Sequence, residues 1–336
     1  MAATASKRRA AKTHLHIENF SGLGEVFEAT PKRVREALKR YPDVAKRLKV
    51  TVGYDRDIFH KQIETAEAVF GWDFDRAAVK AAPNLKWVSA HGAGVTHLMP
   101  LDWLPEGAVL TNSSGVHGER GSEYAIMAVL MLNNRVPEMV TSQRKGQWRQ
   151  VFNTAIAGKT LLIIGVGSVG GSAARHAKYF GLEVLGIRRS GKPHRYVDRM
   201  YRPRDLRRLL PRADFVLMCA PDTKDSHHMI GRRELDLMKK GAGIANYSRA
   251  GLIDYDALRA KLEKGELIAI LDVFDPEPLP RRSPLWRTPN LVMTPHCSSD
   301  DAELYTPKTL DLVLENMARF LAGRKLKNII DPKLEY

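Results

Sequence analysis

Apolar residues fall along the chain in short runs separated by segments of helical spacing, and the runs come in two series. The first comprises HLHI (14–17), VTVGY (50–54), AVFGW (68–72) and KWVSA (86–90), with helices expected from about Pro31 and again near 57–66. The second begins after Gly158 with TLLIIGVG (160–167), EVLGI (183–187), ADFVLMCAP (213–221), GAGIANYS (241–248), LIAILDVF (267–274) and NLVMTPH (290–296). Strands alternating with helices predict parallel sheets with helical crossovers, and the six strands of the second series spell a doubly wound domain. Between the series one long helix is expected from Glu119 to about Arg144, with NNRVPEM (133–139) interrupting its end. Its YAIMAVLML segment is too apolar for a surface element, so burial between two domains is expected. A last helix, from about Asp301 to Leu321, ends before Gly323, where a glycine commonly follows a helix.

At 336 residues the chain exceeds what one hydrophobic core usually holds, which predicts two domains with a cleft between them. No apolar run is long enough to span a bilayer, so a soluble protein with no membrane partner is expected. The opening MAATASKRRAAK has basic residues but no apolar stretch after them, and it reads as a short flexible arm instead of a secretory signal. Cys219 and Cys297 offer neither a disulfide framework nor a zinc set; no metal is expected, and a reducing cytoplasm fits. The net charge of +15 raises the question of nucleic acid. Its RR and KR pairs are scattered along the chain without aromatic interleaving or a recognition module, so no specific nucleic-acid partner is expected.

After the apolar run Leu161 to Ile164 comes Gly165-Val166-Gly167-Ser168-Val169-Gly170, followed by helical spacing up to Gly181. In a strand–turn–helix context the first glycine permits the turn, the second lets backbone approach a pyrophosphate, and the third lets helix pack on strand. The N–H groups at the start of that helix, at Ser168 and Val169 among others, then face the phosphates. Where an NAD enzyme carries an acid for the ribose 2′-hydroxyl, this chain reads Arg188-Arg189-Ser190. Two guanidiniums and a hydroxyl suit a 2′-phosphate, so NADP is expected over NAD. Two solvated arginines are the bland alternative.

Three polar residues stand at or just beyond later strand ends: Arg249 in IANYSRAG, Glu277 in LDVFDPEPLP and His296 in VMTPHCSS. Taken singly, they read as a surface cation, a loop carboxylate and a satisfied histidine. Taken together beside a dinucleotide loop, they match what reduction of a 2-keto acid needs: a cation for the carboxylate, a proton donor for the carbonyl oxygen, and a group that orients the donor.

Over nearly its whole length the chain resembles the D-isomer-specific 2-hydroxyacid dehydrogenases. The resemblance is carried by VSAHGAGV (88–95), GKTLLIIGVGSVG (158–170), APDTKDSHHMI (220–230), MKKGAGIANYSRAGLID (238–254), LDVFDPEPLP (271–280) and SPLWRTPNLVMTPH (283–296). It implies a catalytic set of Arg249, Glu277 and His296, and cofactor contacts at Ala220, Pro221 and Asp272. It also implies that the loop Gly92, Ala93, Gly94 and Arg249 bind the substrate carboxylate. The implied fold has two Rossmann-like domains: a doubly wound nucleotide domain (119–303) inserted in a smaller flavodoxin-like substrate domain (1–118 with 304–336). A homodimer formed through the nucleotide domain and a small anionic 2-keto or 2-hydroxy acid as substrate are implied as well. Glyoxylate or hydroxypyruvate is the leading expectation, with phosphoglycerate, a keto sugar acid or a branched 2-keto acid as the alternatives. A nucleotide-sensing corepressor of the same fold is the alternative, since such proteins keep the three residues. Ala250, Asp222, Thr96 and Cys297 depart from the family pattern without removing a proposed catalytic group, and Thr96, His91 and Trp72 are expected to reshape the substrate loop.

Overall fold

The computed structural model describes residues 11–336, and the basic opening arm lies outside them apart from its last two residues. Two compact units are formed, one from the described residues up to Val116 together with Asp301–Tyr336, the other from His117–Asp300.

The first unit holds a parallel five-stranded sheet of β1 (Thr13–Asn19), β2 (Leu48–Tyr54), β3 (Ala68–Gly71), β4 (Trp87–Ala90) and β5 (Val109–Thr111), in the order β2-β1-β3-β4-β5. The second holds a parallel seven-stranded sheet of β6 (Thr160–Ile164), β7 (Glu183–Ile187), β8 (Arg199–Tyr201), β9 (Phe215–Met218), β10 (Gly243–Asn246), β11 (Ile268–Leu271) and β12 (Leu291–Met293). Its order is β12-β11-β10-β9-β6-β7-β8. Both are doubly wound α/β sheets, the first with flavodoxin order and the second with dinucleotide-fold order. In each the strand order reverses beside the first strand, and the crevice outside the strands' carboxyl ends at that point is where such sheets bind ligands.

The central strands are continuous apolar runs because helices cover both faces. Every residue of β6, β9, β10 and β11 is buried. The helix Ser168–Tyr179 buries only small residues, Gly170, Gly171, Ala173, Ala174 and Ala177, so its backbone lies close to the sheet. In the first unit the helix Tyr305–Leu321 turns Leu310, Val313, Leu314 and Met317 onto Leu15, Ile17, Phe70 and Trp87.

Four expectations need correction. The stretch 119–144 is two helices, Gly118–Asn133 and Val136–Arg144. The break falls at Arg135, whose φ of 59° is left-handed, directly before a residue constrained by Pro137. Its guanidinium is tied to the Gly241 carbonyl at 2.7 Å, which fixes the kink. Nor is the first of these helices buried on all sides. Tyr124, Ala125, Ala128, Val129 and Leu132 pack on the second sheet, whereas Met127 is 41% exposed in a groove with Ile126, Leu130, Met131, Tyr179 and Phe180. Finally, the two sheets contain β5 and β8 besides the expected strands, and the helix expected near 57–66 is one short turn-and-a-half, Phe59–Ile63.

Candidate active site

The glycine loop divides its labour by geometry. Gly165 has a φ of 100°, and a Cβ there would lie inside the van der Waals radius of the Ala220 backbone. A Cβ on Gly170 would overlap the Gly165 carbonyl oxygen. These two are required by the protein's own packing. Gly167 differs: a Cβ there would meet nothing within 4 Å, and as N-cap of the helix Ser168–Tyr179 it supplies no capping side chain. The loop is therefore open on the side where the helix N-terminus presents its N–H groups, and a pyrophosphate fits that cradle. The first turn carries no acidic residue to oppose an anion. Ala220 and Pro221 follow β9 beside this loop, with the Ser248 hydroxyl donating to the Ala220 carbonyl at 2.5 Å.

Arg188, Arg189 and Ser190 follow β7 directly. The Arg188 guanidinium donates to the carbonyls of Lys192 (2.7 Å) and Pro193 (2.9 Å), and the Ser190 hydroxyl accepts from Lys192 N at 3.3 Å. One of the two arginines thus closes its own loop.

At the carboxyl ends of β11 and β12 a histidine and a carboxylate meet. His296 Nδ1 and Glu277 Oε2 lie 2.6 Å apart, and Glu277 Oε1 accepts from Phe274 N at 2.7 Å. The histidine side chain remains about half exposed. Its backbone φ is 49°, left-handed, and its N–H donates to the Asp272 carbonyl at 2.8 Å. Asp272 itself is fully buried, and its carboxylate accepts from Cys297 N and Ser298 N, each at 3.2 Å.

Arg249 follows β10. Burial pushes its guanidinium below the ordinary arginine range, a shift opposed by the negative charges of Glu277, Asp222 and Asp300. Its Nη1 donates to the Ser248 carbonyl at 2.6 Å. The turn is held by Asn246, fully buried, whose amide donates to the Arg249 carbonyl at 2.8 Å and to the Tyr255 hydroxyl at 3.1 Å. The second unit thus brings Arg249, Glu277 and His296 to neighbouring strand ends. The loop Gly92, Ala93, Gly94 belongs to the first unit, after β4, where Ser113 N donates to the Gly92 carbonyl (3.1 Å) and the Asn112 amide to the Ala93 carbonyl (2.6 Å). His91, buried, is ringed there by Phe70, Trp72 and Tyr305 at centroid distances of 4.9, 5.8 and 5.2 Å.

Residues 126–298 match the family model described as D-isomer specific 2-hydroxyacid dehydrogenase, NAD binding domain. The chain belongs to the D-isomer specific 2-hydroxyacid dehydrogenase family. A glyoxylate reductase of Korarchaeum cryptofilum is 32% identical over 270 residues, 77% of this chain and 80% of that protein. Among solved structures, a D-isomer specific 2-hydroxyacid dehydrogenase of Xanthobacter autotrophicus Py2, in complex with NADPH and MES, superimposes with a TM-score of 0.81 at 26% identity, over 97% of this chain and all of that one. An NADPH-dependent glyoxylate/hydroxypyruvate reductase of Sinorhizobium meliloti, in complex with NADP and sulfate, gives 0.80 at 26% identity with the same coverage. As a member of this family the chain is an NAD(P)-dependent oxidoreductase acting at the alpha carbon of a small 2-keto or 2-hydroxy acid. The corepressor alternative is not favoured.

Among the described residues no helix is long and apolar enough to cross a membrane, and no cluster of three histidine, cysteine or acidic side chains is arranged to hold a metal. Sequence reasoning did not single out Asn246, Thr294, Tyr124 or Asp300 as part of this site. Asn246 carried a faint signal, an amide inside an otherwise apolar strand; the others carried none.

Proposed function

We propose that this dehydrogenase reduces glyoxylate or hydroxypyruvate with NADPH, using His296 as proton donor, Glu277 as its orienting partner and Arg249 as the carboxylate anchor. The single observation that carries the reading is the 2.6 Å contact of His296 Nδ1 with Glu277 beside a half-buried arginine at the strand ends. With Nδ1 held by the carboxylate, Nε2 is the nitrogen left to serve a substrate oxygen. The nicotinamide, when bound, supplies the hydride. Arg249 holds the substrate carboxylate by paired N–H donors, which fixes the alpha carbon in register with the imidazole. His296 gives its Nε2 proton to the alkoxide oxygen as that charge develops, and Glu277 stabilises the imidazolium beforehand. In the oxidative direction His296 takes the proton back. The backbone N–H groups of Gly92, Ala93 and Gly94 suit a second hold on the carboxylate. Gly165, Gly167, Ser168, Val169 and Gly170, with Ala220, Pro221 and Asp272, serve the dinucleotide, and Arg188, Arg189 and Ser190 its 2′-phosphate.

The choice of substrate rests on the names of the relatives, among them the Korarchaeum and Sinorhizobium reductases. A panel of 2-keto acids assayed for NADPH oxidation tests it. Turnover with glyoxylate or hydroxypyruvate well above that with branched 2-keto acids is expected, and the reverse order refutes the assignment. We further propose a homodimer working in the cytoplasm, where the free Cys219 and Cys297 stay reduced. The groove at Met127, Tyr179 and Phe180, together with Trp148 at 95% exposure and Phe152 at 87%, is apolar surface that a second copy would cover. Sedimentation equilibrium reads the outcome directly: a monomer mass at micromolar concentration contradicts the dimer.

A further inference from the structure

The ends of β9 to β12 carry a row of polar side chains. Met218 pairs with Asn246, Asn246 with Leu271, and Leu271 with Met293, so the next residues, Cys219, Tyr247, Asp272 and Thr294, stand side by side across the sheet. In parallel register such a row points to one face. That face is covered by the helix Gly118–Asn133, whose Tyr124 lies 4% exposed, its ring 5.7 Å from that of Tyr247.

Two of the row's members are linked to the helix in series. Thr294 Oγ1 donates to Asp272 Oδ1 at 2.5 Å. The threonine hydroxyl has one proton and spends it on that carboxylate, so the 2.6 Å contact between Thr294 Oγ1 and the Tyr124 hydroxyl is donated by the tyrosine. The series ends on the loop of the proton donor. The Asp272 carboxylate takes the N–H groups of Cys297 and Ser298, and the Asp272 carbonyl takes the N–H of His296. His296 sits between these anchors with a left-handed φ of 49°, a conformation that a non-glycine residue holds only when its surroundings over-determine it.

We propose that Tyr124 and Thr294 are positioning residues for His296. The series Tyr124 to Thr294 to Asp272 fixes the carboxylate that holds the two N–H groups following His296, while the Asp272 carbonyl holds the histidine's own N–H, and so sets where Nε2 points. Burial pushes the Tyr124 hydroxyl up to about 12, which keeps it a donor throughout the working pH range. The Glu277 contact at Nδ1 fixes the rotation of the ring and this series fixes its backbone, so two separate constraints meet on one imidazole. The inference rests on the assignment of His296 as proton donor.

The test uses the full chain with Thr294→Val, Thr294→Ser, Tyr124→Phe, His296→Ala, and Thr294→Val combined with His296→Ala. Thr294→Val is expected to lower kcat with hydroxypyruvate and NADPH by about thirtyfold with KM and cofactor affinity within about twofold, the pattern of an interaction acting in the transition state. Thr294→Ser, which keeps the hydroxyl, should stay within about threefold of the unmodified enzyme, and Tyr124→Phe should lose about fivefold. In the His296→Ala background, Thr294→Val should cost nothing further, since a group that acts only through the histidine has nothing left to position. An unchanged kcat in Thr294→Val with a lowered melting temperature overturns the proposal, as does an undiminished loss in the His296→Ala background. Should Thr294→Val fail to fold, Tyr124→Phe decides: wild-type kcat in that variant overturns the proposal. Near-normal turnover in His296→Ala sinks the proton-donor assignment itself, whereas a large loss there beside normal Thr294→Val and Tyr124→Phe sinks only the positioning series.

Discussion

His296 Nδ1 lies 2.6 Å from Glu277 Oε2, and the other oxygen of that carboxylate takes a backbone N–H from Phe274, so the glutamate is anchored on the side away from the ring. On the proposed assignment, replacing His296 by alanine removes the proton donor and leaves the glycine loop untouched. Turnover should fall by roughly a hundred- to ten-thousandfold, with little change in NADPH affinity measured by fluorescence titration. Glu277→Gln keeps the shape and removes the charge that stabilises the imidazolium, and its kcat should fall by about tenfold or more. Equal loss of cofactor binding and turnover in His296→Ala would place the histidine on the dinucleotide instead.

The glycine loop makes a contrast between neighbours. A methyl at Gly167 meets nothing within 4 Å, so Gly167→Ala should melt like the unmodified protein while its dinucleotide affinity falls by about tenfold or more, because the methyl occupies the approach to the pyrophosphate. A methyl at Gly170 overlaps the Gly165 carbonyl oxygen. Gly170→Ala should therefore lose about 1–3 kcal/mol of stability, the usual cost of overpacking, whether or not cofactor is present. A calorimetric scan beside a binding titration separates the two.

Arg188, Arg189 and Ser190 predict a preference for NADPH. Charge-assisted contacts to a phosphate contribute on the order of 1.5–3 kcal/mol, roughly a ten- to hundredfold difference in catalytic efficiency. Arg188 also staples the carbonyls of residues 192 and 193, so its replacement should loosen the loop and weaken both cofactors. Arg189→Asp should act more selectively against NADPH. Equal kcat/KM for NADH and NADPH in the unmodified enzyme defeats the assignment.

A pH dependence of stability follows from the first sheet. His14 is buried on β1 between the hydroxyls of Thr51 and Thr65, at 2.8 and 2.9 Å. Burial first, then the charges of Lys49 and His16, push its imidazole down to about 4, against weaker opposing pulls from a backbone hydrogen bond to Thr65 and then from the Glu67 charge. A histidine whose folded value lies below its unfolded value is protonated more readily in the unfolded chain, so its contribution is intact above pH ~6.5 and is lost progressively as the pH falls towards ~4. The loss should amount to about 2 kcal/mol, several degrees of Tm. His14→Gln should flatten the Tm profile across that window; an identical slope in variant and parent contradicts the account.

Much of this was legible in the sequence because the central strands are buried on both faces and so read as unbroken apolar runs, and because Gly165, Gly167 and Gly170 keep a spacing that a tight turn and a close helix enforce. The strands β5 and β8 escaped since each is three residues long, and RMY at 199–201 is half-exposed and polar at one end. The interruption at NNRVPEM was legible, with Pro137 marking the place, but not that Arg135 divides the stretch into two separate helices. Arg249, Glu277 and His296 stood out by lying just past strand ends. Thr294 and Tyr124 did not, because their relation spans 170 residues and depends on strand register and on which face of the helix Gly118–Asn133 meets the sheet. No local pattern encodes that.

On this chain hydride passes from the reduced nicotinamide to the alpha carbon of a small 2-keto acid. The direct measurement is turnover of hydroxypyruvate and of glyoxylate with NADPH deuterated at its transferable position, followed by mass spectrometry of the product. The account predicts one deuterium bound at the alpha carbon of the resulting 2-hydroxy acid, formed at a rate that collapses in His296→Ala. Product without deuterium at that carbon, or no reduction of either acid by the folded enzyme, would contradict it.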